Sequence, residues 1–303
     1  GLARVYPVAA VTKGLEGREL CEYRALKEAG AAALSDDGRP LLDSRLLRRA
    51  LETSGLPVIG HCEDPYLAAG GVMNEGPVSR MLGVAGTPNA CESIMVMRDI
   101  ALSELTGAPV HIAHVSTAQS IRAIREAKAR GVPVTAETAP HYFTLTDAAV
   151  IEQGAAAKMN PPLRSEQDRH AVRAALADGT LDCIATDHAP HAPEEKAAGL
   201  ARAPNGIIGL ETAFPISMEL VKDGVVPLSR LIELFTAAPA RILGLPCGLF
   251  PGAPADVAVF DPEVEFVVEP SLFKSRSRNS PFCGRSVRGR AVMTIVGGRI
   301  VFE

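Results

Sequence analysis

Asp187, His188 and His191 follow an apolar run of strand type in the segment CIATDHAPH, residues 183–191. Carboxylate and imidazole groups at the end of a buried strand can bind a metal ion or transfer protons during a reaction. Side chains alternate between the two faces of a strand, so we expect His188 to point away from the side that Asp187 faces. The segment therefore predicts one functional carboxylate, with His191 close behind it.

Three other strand-like runs end in groups of the same kind, in SDDG, HCED and AHVST. The same alternation allows only one of Asp36 and Asp37, and only one of His111 and His114, to face a common site. We therefore expect His111 to be structural. One ligand is predicted from each of four strand ends: an aspartate of SDDG, His61, His114 and Asp187.

Histidine and carboxylate ligands that converge in this way are typical of zinc or a similar divalent ion, and a pair of ions needs a bridging carboxylate. Such metals lower the pKa of a bound water and polarise a carbonyl group, and Asp187 could also move protons. Each signal alone has an ordinary structural explanation, because SDDG is typical of a turn and AHVST of a strand that leads into a helix. Together they predict a metal-assisted hydrolase or lyase.

The elements that position these residues alternate between strand-like runs and amphipathic, helix-like segments. The runs are VYPVAAVT, AAALSDDG, PVIGHCED, PVHIAHVST, PVTAETAPH, AAAKMNPP and DCIATDHAPH. This alternation predicts an α/β fold with a parallel sheet. Because the polar residues stand at the ends of the runs, and no glycine-rich phosphate loop follows a strand, it favours a (β/α)8 TIM-type barrel over a doubly wound sheet.

Capping residues predict where three of the helices begin. Asp43, either Ser116 or Thr117, and Ser165 are the expected N-caps. After residue 245 the sequence becomes rich in short β segments, with a hairpin turn at Gly297 and Gly298. We therefore predict a barrel domain over residues 1–245 and part of a small β-sandwich over residues 246–303.

Composition limits the class of partner. The chain has 303 residues, a net charge of -4 and a pI near 6.0, and it has no basic cluster that favours nucleic acid or an anionic membrane. Its six cysteines form no CxxC pair, which is typical of a reduced, cytoplasmic protein. We expect a small-molecule substrate.

The residues also resemble a known family. SDDG, HCED, VHIAHVSTA, TAETAPHYF, KMNPPLR, CIATDHAPHAPEEK and APNGIIGLET, with SRNSPF and VGGRIVFE near the end, are similar to segments of the class I bacterial dihydroorotases of the amidohydrolase superfamily. KMNPPLR together with ATDHAPHAPEEK is the specific combination, and the resemblance runs through essentially the whole chain.

This resemblance implies a site with two zinc ions that interconverts N-carbamoyl-L-aspartate and L-dihydroorotate in pyrimidine biosynthesis. Asp37 would bridge the metals, although Asp36 stays open as an alternative. His61 and His114 would bind one zinc, and Asp187 would bind the other and act as general base and then acid. A hydroxide that bridges the metals would be the nucleophile.

The resemblance also implies a substrate-binding set. Asn160 and His191 would contact the substrate, and the backbone around Asn205 and Gly206 would receive its carboxylate. The resemblance also implies a homodimer, with aspartate transcarbamoylase as a further partner. The family's HxH pair and the arginine after it, which belong to the first barrel strand, are not found in this sequence. We therefore expect the sequence to be part of a longer protein in which the first barrel strands precede residue 1.

Two other functions stay open at this point. A hydantoinase or allantoinase acts on related cyclic amides, but such enzymes usually carry a lysine where this chain has SDDG. A catalytically silent scaffold for aspartate transcarbamoylase would be expected to lose metal ligands, whereas the four predicted ligands are present.

Overall fold

The computed structural model describes residues 2–303. Its strands are β1 (Val8–Ala9), β2 (Ala33–Ser35), β3 (Val58–Gly60), β4 (Met73–Asn74), β5 (Gly86–Thr87), β6 (Val110–Ile112), β7 (Val134–Thr138), β8 (Cys183–Ile184), β9 (Val257–Val267), β10 (Ser286–Val296) and β11 (Arg299–Phe302). Its helices are α1 (Tyr23–Glu28), α2 (Ser44–Thr53), α3 (Pro65–Ala68), α4 (Pro77–Leu82), α5 (Ala90–Thr106), α6 (Ala118–Ala129), α7 (Pro140–Thr144), α8 (Ala149–Gln153), α9 (Glu166–Asp178), α10 (Pro193–Lys196), α11 (Ala213–Lys222), α12 (Leu228–Phe235) and α13 (Ala237–Leu243).

The main sheet is parallel and has the strand order β1-β2-β3-β6-β7-β8. The strands of this sheet are adjacent in the order in which they occur along the chain. This is the arrangement of a (β/α) barrel, whereas the strand order of a doubly wound sheet reverses at one point. Val58, Val110 and Ile112 point to one face and join a core with buried residues of α5, α6 and α9. The strand residues between them, such as His111, therefore point to the opposite, inner face.

The three predicted N-caps are observed. Asp43 accepts a hydrogen bond from the backbone N–H of Arg45 at the start of α2. Thr117, and not Ser116, caps α6, and Ser165 caps α9 by accepting from the N–H of Asp168. Each cap supplies a partner for a backbone N–H that the helix leaves free, so each fixes where the chain turns from strand end to helix.

One predicted strand is wrong. The run AAAKMNPP contains a turn of 3-10 helix at Gly154–Ala157 and then an irregular segment. Ala157 and Met159 are buried, but they belong to a core of residues from helices, loops and the C-terminal region and not to the main sheet. Small apolar residues that cover a loop give the same local pattern as a short buried strand, so periodicity could not distinguish the two.

The C-terminal region forms a separate antiparallel sheet in the order β11-β10-β9. Its hairpin turns at Gly297 and Gly298, as predicted, since both have positive φ. Val268, Phe282 and Val287 are buried in a second core. The division of the chain into domains at residue 245 stays a prediction.

No helix among residues 2–303 is long and apolar enough to cross a membrane.

Candidate metal centre and substrate pocket

Asp37, His61 and His114 meet at the carboxyl ends of three neighbouring strands. Nδ1 of His61 lies 2.9 Å from Oδ1 of Asp37 and 2.8 Å from Nε2 of His114. Oδ1 of Asp37 and Nε2 of His114 are 3.4 Å apart. Both imidazoles are buried, whereas the Asp37 side chain is 59% exposed. Three atoms that can all bind a cation therefore face one point at the edge of the sheet.

Asp36 and Asp37 face different surroundings. The Asp36 carboxylate is buried and accepts hydrogen bonds from the backbone N–H groups of Val11, at 2.7 Å, and Thr12, at 3.1 Å. These bonds join the end of β2 to the segment after β1. Asp37 is the member of the pair that points to the two histidines, which supports it as the ligand.

His114 and Asp187 have unusual backbone conformations. Their φ angles are +36° and +47°, and Leu15 is the one other non-glycine residue with a positive φ among residues 2–303. Left-handed backbone is costly for residues with a Cβ and occurs preferentially at functional sites. The charges of Asp37, His61 and His114 all act on Asp187, so its carboxylate belongs to the same electrostatic environment.

Glu63 connects the metal-binding edge to the substrate-binding set. Its Oε2 lies 2.9 Å from Nε2 of His61 and accepts a hydrogen bond of 2.9 Å from Nδ2 of Asn160. A carboxylate on the second nitrogen of a ligand histidine fixes the tautomer and orients the ring, which here leaves Nδ1 of His61 directed at Asp37. Glu63 is not among the ligands predicted from the sequence.

His191, Asn205 and Gly206 lie close together in the chain that follows β8. Nε2 of His191 lies 2.7 Å from the carbonyl oxygen of Asn205, and Asn279 accepts from the His191 N–H at 3.2 Å. Asn279 also donates to the carbonyl oxygens of Ala189 and Gly206. This asparagine of SRNSPF therefore fixes both segments that carry the predicted substrate contacts.

The segment that follows His114 is held by a buried acid. The Glu92 carboxylate, on α5, accepts from the N–H groups of Ser116 and Thr117 at 3.1 to 3.2 Å and from both hydroxyls. Glu92 is 3% exposed. It supplies acceptors for backbone donors that burial would otherwise leave unpaired, directly after the strained residue.

Electrostatics at the site match the geometry. Hydrogen bonds from His114 and His61 hold the pKa of Asp37 far below its usual range. Burial opposes the charged form of His61, but its bonds to Asp37 and Glu63 outweigh this and raise its pKa to about 9. Burial raises the pKa of Asp187. Neighbouring carboxyl groups whose pKa values are pushed apart are typical of acid–base sites.

The donor set fits a zinc ion. Two imidazole nitrogens and a carboxylate oxygen are zinc ligands of the usual kind. Residues 2–303 contain one other group with suitable donors, formed by His111, Glu137 and Cys183. There His111 bonds to Thr135 at 2.8 Å and to Glu137 at 3.2 Å, and burial raises the pKa of the Cys183 thiol, so this group is a hydrogen-bonded layer of the barrel interior.

Structural roles are observed for two histidines set aside in the sequence analysis. His111 makes the bonds just described, and Nδ1 of His188 accepts from the N–H of Gly209 at 3.0 Å. His141 is also buried, and burial and the charge of His114 lower its pKa to about 3. Its ring is therefore neutral at ordinary pH.

Comparison with known protein families agrees with the geometry. Residues 2–120 match the dihydro-orotase-like family model, and residues 98–302 match the amidohydrolase family model. The chain is 55% identical over 306 residues to the dihydroorotase of Desulforapulum autotrophicum, covering 100% of this chain and 72% of that protein. It is also 55% identical over 309 residues to the dihydroorotase of Anaeromyxobacter dehalogenans, covering 71% of that protein.

Solved structures with the same fold are cyclic-amide hydrolases. The L-hydantoinase of Arthrobacter aurescens superposes with a TM-score of 0.83 at 27% identity, covering 97% of this chain and 69% of that one. The dihydropyrimidinase of Brevibacillus agri has a TM-score of 0.80 at 25% identity and covers 93% and 66%. The TIM-type barrel fold is thus confirmed, and identity is twice as high to the dihydroorotases. The chain belongs to the dihydroorotase family of amidohydrolases.

Proposed function

We propose that this chain carries the catalytic centre of a zinc-dependent dihydroorotase, which interconverts N-carbamoyl-L-aspartate and L-dihydroorotate. The observation that carries the proposal is the meeting of Asp37, His61 and His114 at the carboxyl edge of a barrel sheet, with donor atoms 2.8 to 3.4 Å apart. The choice of substrate is supported by the 55% identity to dihydroorotases over the full chain.

The ligand roles are those that the resemblance to dihydroorotases implies, and the closeness of Asp37, His61 and His114 supports them. His61 and His114 would hold one zinc, Asp37 would bridge to the second, and Asp187 would bind the second. When bound, the metals would supply an activated water near neutral pH and polarise the ring carbonyl of the substrate. Glu63 keeps His61 in the tautomer that can bind through Nδ1.

Asp187 is the residue that we assign to proton transfer. It would accept the proton of the attacking water and pass that proton to the leaving nitrogen as the ring amide bond breaks. Asn160 and His191 would contact the substrate, and the backbone at Asn205 and Gly206 would receive the substrate carboxylate. This carboxylate distinguishes dihydroorotate from the rings that hydantoinases open.

The test is hydrolysis of dihydroorotate, hydantoin and allantoin by the zinc-loaded enzyme. We expect turnover of dihydroorotate and little or none of the other two. The His61→Ala variant should lose more than about 100-fold in activity, since even the loss of a ligand's hydrogen-bond partner costs 10- to 100-fold. His170→Ala is the matched control, because His170 is exposed on α9 and pairs with Glu166. Preferential turnover of hydantoin would overturn the substrate assignment.

Zinc content separates the enzyme from a silent scaffold of aspartate transcarbamoylase. The complete protein is expected to retain about two zinc ions per site after dialysis, as a bridging carboxylate implies, whereas a scaffold would retain none and show no turnover. We also propose a cytoplasmic, homodimeric enzyme. Native mass measured with and without aspartate transcarbamoylase tests the dimer and that association.

A further inference from the structure

The segment that is proposed to receive the substrate carboxylate has a demanding backbone. Gly206 is buried and has a φ of +112°. A Cβ at this position would lie 2.4 Å from Cβ of Ala189 and 3.4 Å from Nε2 of His191. The chain at residues 204–206 therefore lies tightly against the segment after β8, and something must hold it in this conformation.

Lys196, the last residue of α10, is directed at this segment. Its Nζ donates to the carbonyl oxygens of Pro204 at 3.0 Å and Gly206 at 3.1 Å, and it reaches that of Lys158 at 3.3 Å. An ammonium group has three N–H donors, and here all three have backbone acceptors. Lys196 therefore ties residues 204–206 to the segment that leads into Asn160.

A second contact joins the same two segments. The N–H of Gly206 donates to the carbonyl oxygen of Lys158 at 3.0 Å. The ammonium of Lys158 in turn donates to the carbonyl oxygen of Ala203 at 2.8 Å and to that of Ala201 at 3.4 Å. Two lysines thus hold one loop by its carbonyl groups.

We propose that Lys196 is a positioning residue for substrate recognition, which fixes residues 204–206 in the conformation that receives the carboxylate of dihydroorotate. The inference rests on the proposed function. Lys196 acts through the backbone and does not touch the reacting atoms. Its loss should therefore weaken binding of the anionic substrate and leave the metal centre intact.

The charge of Lys196 gives the proposal a pH signature. Burial first, and then the charge of Lys158, lower the pKa of Lys196 to about 8. The other titratable groups around this loop are His191, which bonds to Asn205, and Glu195, whose carboxylate is 3.9 Å from Nδ1 of His191. As pH rises through about 8, Lys196 loses a proton and one donor. KM for dihydroorotate should therefore rise with pH across this range.

The experiment compares Lys196→Met, Lys196→Arg and the unsubstituted zinc-loaded enzyme. Lys196→Met should raise KM about tenfold or more, as expected for loss of charge-assisted hydrogen bonds, with kcat changed by less than about threefold. Zinc content should be unchanged. Lys27→Met is the matched control, because Lys27 also donates to a backbone carbonyl, that of Gly55, at an exposed position.

The arginine variant tests the pH signature independently of the folding of the methionine variant. Because arginine stays charged, KM of Lys196→Arg should be constant between about pH 7 and pH 9, where that of the unsubstituted enzyme rises. The proposal is overturned if the arginine variant keeps the same rise, or if a folded Lys196→Met enzyme has an unchanged KM. Failure of the unsubstituted enzyme to hydrolyse dihydroorotate at all would instead overturn the proposed function, and this inference with it.

Discussion

Glu63 offers a quantitative test of how the metal-binding edge is built. Its Oε2 lies 2.9 Å from both Nε2 of His61 and Nδ2 of Asn160. Glu63→Gln keeps an oxygen acceptor but removes the charge, which roughly halves the strength of each bond. A loss of about 1.4 kcal/mol, or tenfold in zinc affinity, is expected. Glu63→Ala removes the oxygen that makes both bonds and should weaken zinc binding about 100-fold. This is the upper end of the loss expected when a partner of a ligand histidine is removed.

The assay is a competition of the purified variants with a chelator of known zinc affinity. The control is Glu52→Gln on α2, where the carboxylate pairs with Arg48 at 2.8 Å on the exposed surface. Such pairs contribute less than about 1 kcal/mol, and zinc affinity should not change. If Glu63→Gln binds zinc as tightly as the unsubstituted chain, or if Glu63→Ala binds no more weakly than Glu63→Gln, the orienting role of this carboxylate is refuted.

Three further substitutions separate the functions of neighbouring residues. Gly206→Ala should raise KM for dihydroorotate while zinc content stays constant, because its Cβ meets Ala189 at 2.4 Å; Gly30→Ala, with a similar φ of +99° but open space, should leave KM unchanged. Glu92→Ala should lower the free energy of unfolding in urea by about 3 kcal/mol, because it leaves buried N–H groups unpaired, and a loss below about 1 kcal/mol would contradict this. Asp37→Asn should lose zinc with little change in the free energy of unfolding. Asp36→Asn should mainly lower the free energy of unfolding. The reverse pattern would favour Asp36 as the ligand.

Sequence alone located the candidate site because parallel strands deliver their carboxyl ends to one edge. Alternation alone did not separate His111 from His114, because His111 lies on the inner face one layer below the site and His114 reaches the site through its positive φ. It left Asp36 and Asp37 unresolved, because both follow the end of β2 and the choice depends on how the chain turns there. The bonds of Asp36 to Val11 and Thr12 determine that turn, and they join segments 24 or 25 residues apart.

Residues that support the ligands were not found, for a related reason. Glu92 lies in the first turn of α5 and Asn279 in a loop between β9 and β10, and neither is near a ligand in the sequence. Glu63 is only two residues from His61, yet in HCED it resembles an ordinary polar residue before a helix. The misassigned strand AAAKMNPP has the same origin, since its burial depends on distant segments that cover it. Local pattern identifies groups that can react but not the contacts that orient them.

The strained backbone at His114 and Asp187 explains how two of the strands present their ligands. Each residue follows its strand by two or three positions, where a regular extended chain would continue to alternate faces. A positive φ redirects the chain there, at a cost of about 1–3 kcal/mol for each residue. Glu92 anchors the chain just after His114, and His188 accepts from Gly209 just after Asp187. These contacts lie just after the strained residues, which indicates that the surrounding fold holds the conformation before any metal binds. The free energy of metal binding therefore need not offset the cost of the strain.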